Sequence, residues 1–178
     1  VFRKPRQLDT EAELYDVAIR ALMRRAHSVH EMQKKLERRA SSKLLAQVVM
    51  ARLRESGQLD DARYAKQFTR QRTEGRKQGQ FRVARDLRAR GVPDQHIEAA
   101  IKESASETDA SALVRLRIQR KLRSNRGPKT GEKIDDKKIA SLYASLLRAG
   151  FPSEIIRREL KSLTREEVPE VDPPDDSL

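Results

Sequence analysis

Three stretches of the chain carry one pattern: a Leu, a short basic link to Gly or Ala, and paired apolar residues at fixed offsets. They read Leu36-Glu37-Arg38-Arg39-Ala40, Leu87-Arg88-Ala89-Arg90-Gly91 and Leu146-Leu147-Arg148-Ala149-Gly150. Six and ten residues beyond the Gly or Ala stand Ala46 and Met50, Ile97 and Ile101, Ile156 and Leu160; eight before it stand Met32, Val83 and Leu142. Recurrence at roughly fifty-residue intervals means one supersecondary unit used repeatedly, with neighbours burying each other's apolar faces.

Composition agrees with thin cores. Apolar and charged residues each make up 37% of the 178, with 4% aromatics and neither Trp nor Cys. Long amphipathic helices suit such a chain, because Arg and Lys stems cover apolar surface. Without Cys there is no disulfide, thiol nucleophile or thiolate metal site. No apolar run approaches the ~18 residues of a membrane span, and Val1-Phe2-Arg3-Lys4-Pro5 lacks a secretory core. A cytoplasmic, monomeric protein is expected, trimmed at its start since the initiator Met is absent.

The net charge is +12, and it is unevenly spread. Residues 166–178 hold six acids and no base. Removing them from the chain's 27 acids leaves 21 against 39 bases, a net +18 for the remainder. A basic body with an acidic tail points to polyanion contact or an acidic protein groove.

Helix signals dominate the whole chain. Leu14, Val17, Ala18, Ala21 and Leu22 follow one helical face. Ser28 with Glu31 forms a capping box opening a helix through Met32 and Leu36. Ser42 caps a third, with Ala46, Val49, Met50 and Leu53 inward, ending near Gly57. Asp60 and Asp61 open a fourth, with Tyr64, Ala65 and Phe68 on its apolar face. Gly75 to Gly79 breaks the chain, then Phe81, Ala84 and Leu87 line a fifth helix, and Pro93 starts a sixth with Ile97, Ala100 and Ile101 inward. Leu113, Leu116 and Leu122 mark a seventh after Asp109. An eighth carries Ile139, Leu142, Tyr143 and Leu146 behind an Asp135/Asp136 cap. Pro152 opens a ninth with Ile156, Leu160 and Leu163.

The expected fold is all-α: an elongated, curved array of three tandem three-helix repeats. The expected boundaries are an N-terminal extension over 1–13, repeats over 14–58, 59–106 and 107–164, a basic linker near 123–135 inside the third, and an acidic, disordered tail over 165–178.

Two basic runs are the candidate binding surfaces. The interval from Ala110 to Gly131 has no acid and carries Arg115, Arg117, Arg120, Lys121, Arg123, Arg126 and Lys129. The interval from Lys66 to Arg90 carries Arg70, Arg72, Arg76, Lys77, Arg82, Arg85 and Arg88 among its bases, against Glu74 and Asp86. Arg forks match carboxylate and phosphate alike. With Phe68 and Phe81 assigned to apolar faces, neither run has interleaved aromatics, which weakens a single-strand stacking model.

Other motifs reduce to structure. His27 and His30 lack a third metal ligand and read as a surface pair at a helix boundary. Gly127-Pro128-Lys129-Thr130-Gly131 lacks the Gly-Lys-Ser/Thr ending and the strand of a phosphate loop, and Gly75-x-x-x-Gly79 fails likewise. No nucleophile–base set stands out, and no cofactor or metal is expected.

The run Gly57-Gln58-Leu59-Asp60-Asp61-Ala62-Arg63-Tyr64-Ala65-Lys66-Gln67-Phe68, ending in Arg72, resembles the signature of the RecX family. So does its setting between a three-helix unit and the basic stretch Lys77-Gln78-Gly79. The resemblance spans about residues 14–164. Two features depart from the family's pattern: a longer, Gly/Pro-containing link from Arg123 to Lys133, and Ala40 where the other repeats have Gly91 and Gly150. The signature residues Gly57, Leu59, Asp60, Asp61, Arg63, Tyr64 and Phe68 read mainly as a structural joint.

The resemblance implies a non-enzymatic regulator that binds the RecA recombinase filament on DNA and lowers its ATPase, strand-exchange and co-protease activities. The partners so implied are the RecA filament and DNA, directly or within the filament, with no membrane. The alternative is a free-standing DNA-binding helical module contacting the phosphate backbone.

Overall fold

The computed structural model describes residues 7–123 and 136–165. Among these the regular elements are helical: α1 (Glu11–Arg24), α2 (Val29–Glu37), α3 (Lys43–Glu55), α4 (Asp61–Arg70) running on into a π-helical turn (Gln71–Gly75), α5 (Gln80–Arg88), α6 (Asp94–Glu107), α7 (Ala110–Arg123), α8 (Asp136–Arg148) and α9 (Ser153–Arg165). None is long and apolar enough to cross a membrane. The basic linker and the acidic tail lie outside the described residues.

Local chemistry sets the helix starts. Thr10, Ser28, Ser42 and Asp60 cap α1 to α4, each accepting a backbone N–H three residues on. Ser28 and Glu31 form the expected reciprocal box. Each cap is worth about 1 kcal/mol.

The repeated positions form the cores. Leu36, Leu87 and Leu146 are at most 3% exposed, and the residues eight before and six after each joint at most 2%. Truncating a Leu or Met there to Ala would cost ~2–5 kcal/mol. At the last offset Met50 and Leu160 are buried, while Ile101 only packs against the edge of its cluster. The three apolar clusters draw on α1–α3, α4–α6 and α7–α9 in turn.

The joints differ as the residues do. Gly91 and Gly150 take φ of 70° and 89°, in the left-handed region that side chains disfavour. Ala40 has no positive φ. It is instead bridged by Leu8, whose N–H donates to the Arg39 carbonyl at 2.7 Å and whose carbonyl accepts from Ser41 at 2.9 Å.

Two expectations are corrected. Phe81 is 59% exposed, because the inward stripe of α5 is Val83, Ala84 and Leu87, and about 100° per residue puts position 81 well off that stripe. Leu116 is 49% exposed, lying on α7 opposite the inward Leu113, Val114 and Ile118. The break between α4 and α5 falls inside the expected Gly75–Gly79 stretch, with Lys77 at φ 51°, after a π-helical turn prolongs α4 to Gly75.

The chain packs as two compact units. The first joins residues up to 76 with 83–107 and contains the first two clusters; the second joins 77–82 with residues from 108 onward and contains the third.

In the first unit, two contacts tie the helix trios together, one of them from the signature region. The Val29 N–H at the start of α2 donates to Asp61 Oδ1 at 2.9 Å, and Ser28 Oγ donates to the Arg90 carbonyl at 2.6 Å.

In the second unit, residues 77–82 form a strap across the α8–α9 joint. Gly79 N–H donates to the Ala149 carbonyl at 2.8 Å, and Phe81 N–H to the Gly150 carbonyl at 3.0 Å. The approach is close enough that a Cβ on Gly79 would sit 2.2 Å from the Gly150 oxygen.

Candidate functional site

The two basic runs meet different fates. In the first unit several of the cations carry carboxylate partners. Lys66 Nζ lies 2.8 Å from Glu103, Arg70 Nε 3.2 Å from Glu74, and Arg88 Nε 2.6 Å from Asp94. Arg72 lies over the Phe68 ring at 4.8 Å. Arg76 and Arg85 are exposed.

In the second unit the strap and α7 bring bases together on carbonyls. Arg117 Nη1 donates to the Lys77 carbonyl at 2.9 Å, and Arg82 Nη1 to the Arg148 carbonyl at 3.4 Å. Burial and then the like charges of Arg82 and Arg120 push the Arg117 guanidinium below its ordinary value. Arg82 Nε is buried with no hydrogen-bond partner. A buried N–H left unpaired costs ~1–3 kcal/mol, so this cluster is held against stability. Such arrangements concentrate at binding sites.

The rest of the α7 run divides. Arg115 Nε donates to Glu159 Oε2 at 2.6 Å, and Arg158 approaches the same carboxylate at 3.6 Å while bonding Ser111 Oγ. Arg115, Arg158 and Glu159 line a groove of about 510 Å³ between α7 and α9. Hydrogen bonding from Arg115 holds the buried Glu159 carboxyl below its ordinary range. Arg120 and Arg123 are exposed and Lys121 is half-buried. Arg126 and Lys129 lie outside the described residues.

The signature residues all make internal contacts. Leu59 is buried in the first cluster, Tyr64 and Phe68 in the second. Asp60 Oδ1 accepts from the Arg63 N–H at 3.0 Å, which holds its carboxyl below the usual value. Arg63 in turn donates to the carbonyl of Gly57, whose φ is 67°. Burial raises the Tyr64 hydroxyl above its ordinary pKa.

Sequence reasoning missed the residues around this joint. Arg90 lies 4.8 Å over the Phe68 ring and 3.8 Å from Glu31, which also accepts from Arg25 at 2.9 Å. Despite burial, those partners hold Glu31 below the ordinary carboxylate value. Arg90 sits inside one of the basic runs, and nothing in its spacing marks it as inward-facing.

His27 is not a surface group. It is 7% exposed with Nδ1 2.9 Å from the Arg25 carbonyl, and burial pushes its pKa down. Its position just before the Ser28 cap turns it into the core. Among the described residues no cluster of three or more His, Cys, Asp or Glu could hold a metal.

Comparison with known proteins follows the same lines. A family model described as the second three-helix domain of RecX matches residues 60–101, the α4–α6 trio. The regulatory protein RecX of Halorhodospira halophila is 35% identical over 142 residues, covering 80% of this chain and 83% of that protein. The chain belongs to the RecX family. RecX of Deinococcus radiodurans is 32% identical over 176 residues, 98% of this chain and 78% of the relative. The crystal structure of RecX from Lactobacillus salivarius shares the fold, with a TM-score of 0.72 at 21% identity over 86% of this chain and 96% of that one. RecX proteins bear the name of regulators, and this chain shares their all-α repeat fold.

Proposed function

We propose that this RecX-family chain is a non-enzymatic regulator that binds the RecA–DNA filament and lowers its ATPase, strand-exchange and co-protease activities. It acts in the cytoplasm as a monomer. The boundaries expected from sequence serve as its working units, three helix trios ending in an acidic tail. The observation that carries the reading is the second unit's basic cluster, in which Arg82 and Arg117 donate to the Arg148 and Lys77 carbonyls beside the exposed Arg120. The carbonyl that Arg82 donates to is neutral and cancels no formal charge, so Arg82 can still be drawn to a polyanionic target.

A bound regulator shifts a filament only by its differential affinity for two filament states. The cluster therefore has to contact the active and inactive filament unequally. The test is RecA ATPase on single-stranded DNA at low salt with this protein added. Inhibition that weakens steeply with salt is expected; an unchanged rate at low salt refutes the proposal. The second reading, a free-standing DNA-binding module, draws on the same cluster. Tight gel-shift binding to naked DNA with no binding to preformed filament would favour it.

A further inference from the structure

Among the described aromatic residues, Phe81 is the one that lies mostly in solvent, at 59% exposure. A single exposed apolar residue is ordinary; its setting is not. The main chain beneath the ring is pinned by the Gly79–Ala149 and Phe81–Gly150 hydrogen bonds. It presses so near the α8–α9 joint that a Cβ on Gly150 would lie 2.3 Å from the Arg82 nitrogen. The ring thus projects from fixed backbone. Its sequence neighbour is Arg82, and the same strap supplies the Lys77 carbonyl that anchors Arg117 from α7. Arg120 follows Arg117 by three residues on α7, so the two are neighbours on one helical face, and Arg82 and Arg120 both act electrostatically on Arg117.

A fixed aromatic face among cations held by carbonyls is the chemistry that binds single strands: a base stacks on the ring while guanidiniums take the flanking phosphates. An acidic peptide would use the charge but not the flat face. A duplex would offer phosphates but keep its bases stacked away from the ring. We propose that Phe81, with Arg82 and Arg120, forms a subsite for one or two nucleotides of single-stranded nucleic acid, Phe81 stacking on a base and the two arginines holding phosphate. The subsite deepens the filament reading by assigning this cluster to nucleic acid and not to protein.

The test is fluorescence anisotropy with the full chain and a labelled oligothymidylate of about twelve nucleotides. Phe81→Ala and Phe81→Leu are each expected to weaken binding about tenfold with an unchanged salt slope, since stacking releases no counterions. Arg120→Gln should lower the logarithmic salt slope by about 0.7. An abasic strand of the same length should bind the wild type about tenfold more weakly, yet bind Phe81→Ala no worse than oligothymidylate does.

Three results would overturn the subsite: both Phe81 variants binding like wild type, the abasic strand binding wild type undiminished, or polyglutamate displacing the probe as well as unlabelled oligothymidylate. Because Phe81 is exposed, both variants should keep the wild-type melting curve. RecA ATPase is measured in parallel. The stacking signature in a protein that leaves that ATPase unchanged supports the subsite and overturns the filament reading.

Discussion

Basic residues are abundant in both units, but the two units use them differently. In the first, Lys66, Arg70, Arg88, Arg25 and Arg52 each stand within 3.2 Å of a carboxylate oxygen. In the second, Arg82 and Arg117 rest on carbonyls, and desolvation with like-charge pressure acts on Arg117. Exposed ion pairs add only ~0–1 kcal/mol each to stability. What they do is cancel field, so the first unit's dense run presents less positive potential than its composition implies. In the second unit the contact recorded for Arg82 is to a carbonyl dipole, which cancels no formal charge. Charge anchored by dipoles is available to a ligand; charge anchored by counter-charge is largely spent.

The sharpest way to break the comparison is at the glycine joints. Gly150→Ala should cost about 2–5 kcal/mol, combining left-handed strain with a clash against the Arg82 backbone at 2.3 Å, which has nowhere to move. Gly91→Ala meets the His30 side chain, whose exposed ring can turn aside but whose Cβ, at 2.6 Å, moves only with α2. It should cost ~2–3 kcal/mol, less than Gly150→Ala because a side chain and not a neighbouring backbone stands in the way. Urea melts followed by amide NMR, read separately in α9 and α2, check this. Equal losses would mean that the strap is no more rigid than the first unit's joint.

Next come paired neutralisations that remove the same formal charge. Arg82→Gln/Arg120→Gln should raise the concentration needed to inhibit RecA ATPase about tenfold or more, as the loss of two phosphate-class contacts implies. Arg70→Gln/Arg88→Gln should change it less than about threefold, since those side chains are engaged by Glu74 and Asp94. If both pairs weaken inhibition alike, the distinction between carbonyl-held and carboxylate-held bases has no functional content.

Much of the fold was legible because it rests on period and caps. Ser28 with Glu31, Asp60, and the Leu at each joint are local signals with long-range consequences. Phe81 and Leu116 were misplaced because an apolar residue near a stripe looks like part of it until the helix phase is fixed by packing. The site was less legible still. Arg70 and Arg82 are alike in sequence, both in a long basic run. Only the fold shows that one reaches Glu74 within its own turn, while the other reaches the Arg148 carbonyl from 66 positions away in the chain. His27 turned inward for a reason that its three-residue spacing from His30 does not encode.

A gentler test is at Asp61, the signature carboxylate that takes the α2 N–H. Asp61→Ala leaves the Val29 donor unpaired and should destabilise the first unit by ~1 kcal/mol, with α7–α9 amides unaffected. Loss of stability spread evenly over both units would show that this contact is not a local cap.

Acid sensitivity gives the smallest effect and separates the units once more. Glu159 in the second unit and Glu31 in the first both have folded pKa values depressed below the ordinary 4.5. A depressed carboxyl contributes its full stability above the unfolded value and loses it as pH falls through the folded one. Each unit should therefore weaken below about pH 4.5 and not above it. Glu159→Gln should remove the acid dependence of α7 and α9 alone, costing ~1 kcal/mol at neutral pH because Arg115 is largely solvated. Residue-resolved melts at neutral and acid pH read both units at once. Persistence of the same acid loss in α9 after the substitution would mean that another carboxyl, and not Glu159, carries the second unit's response.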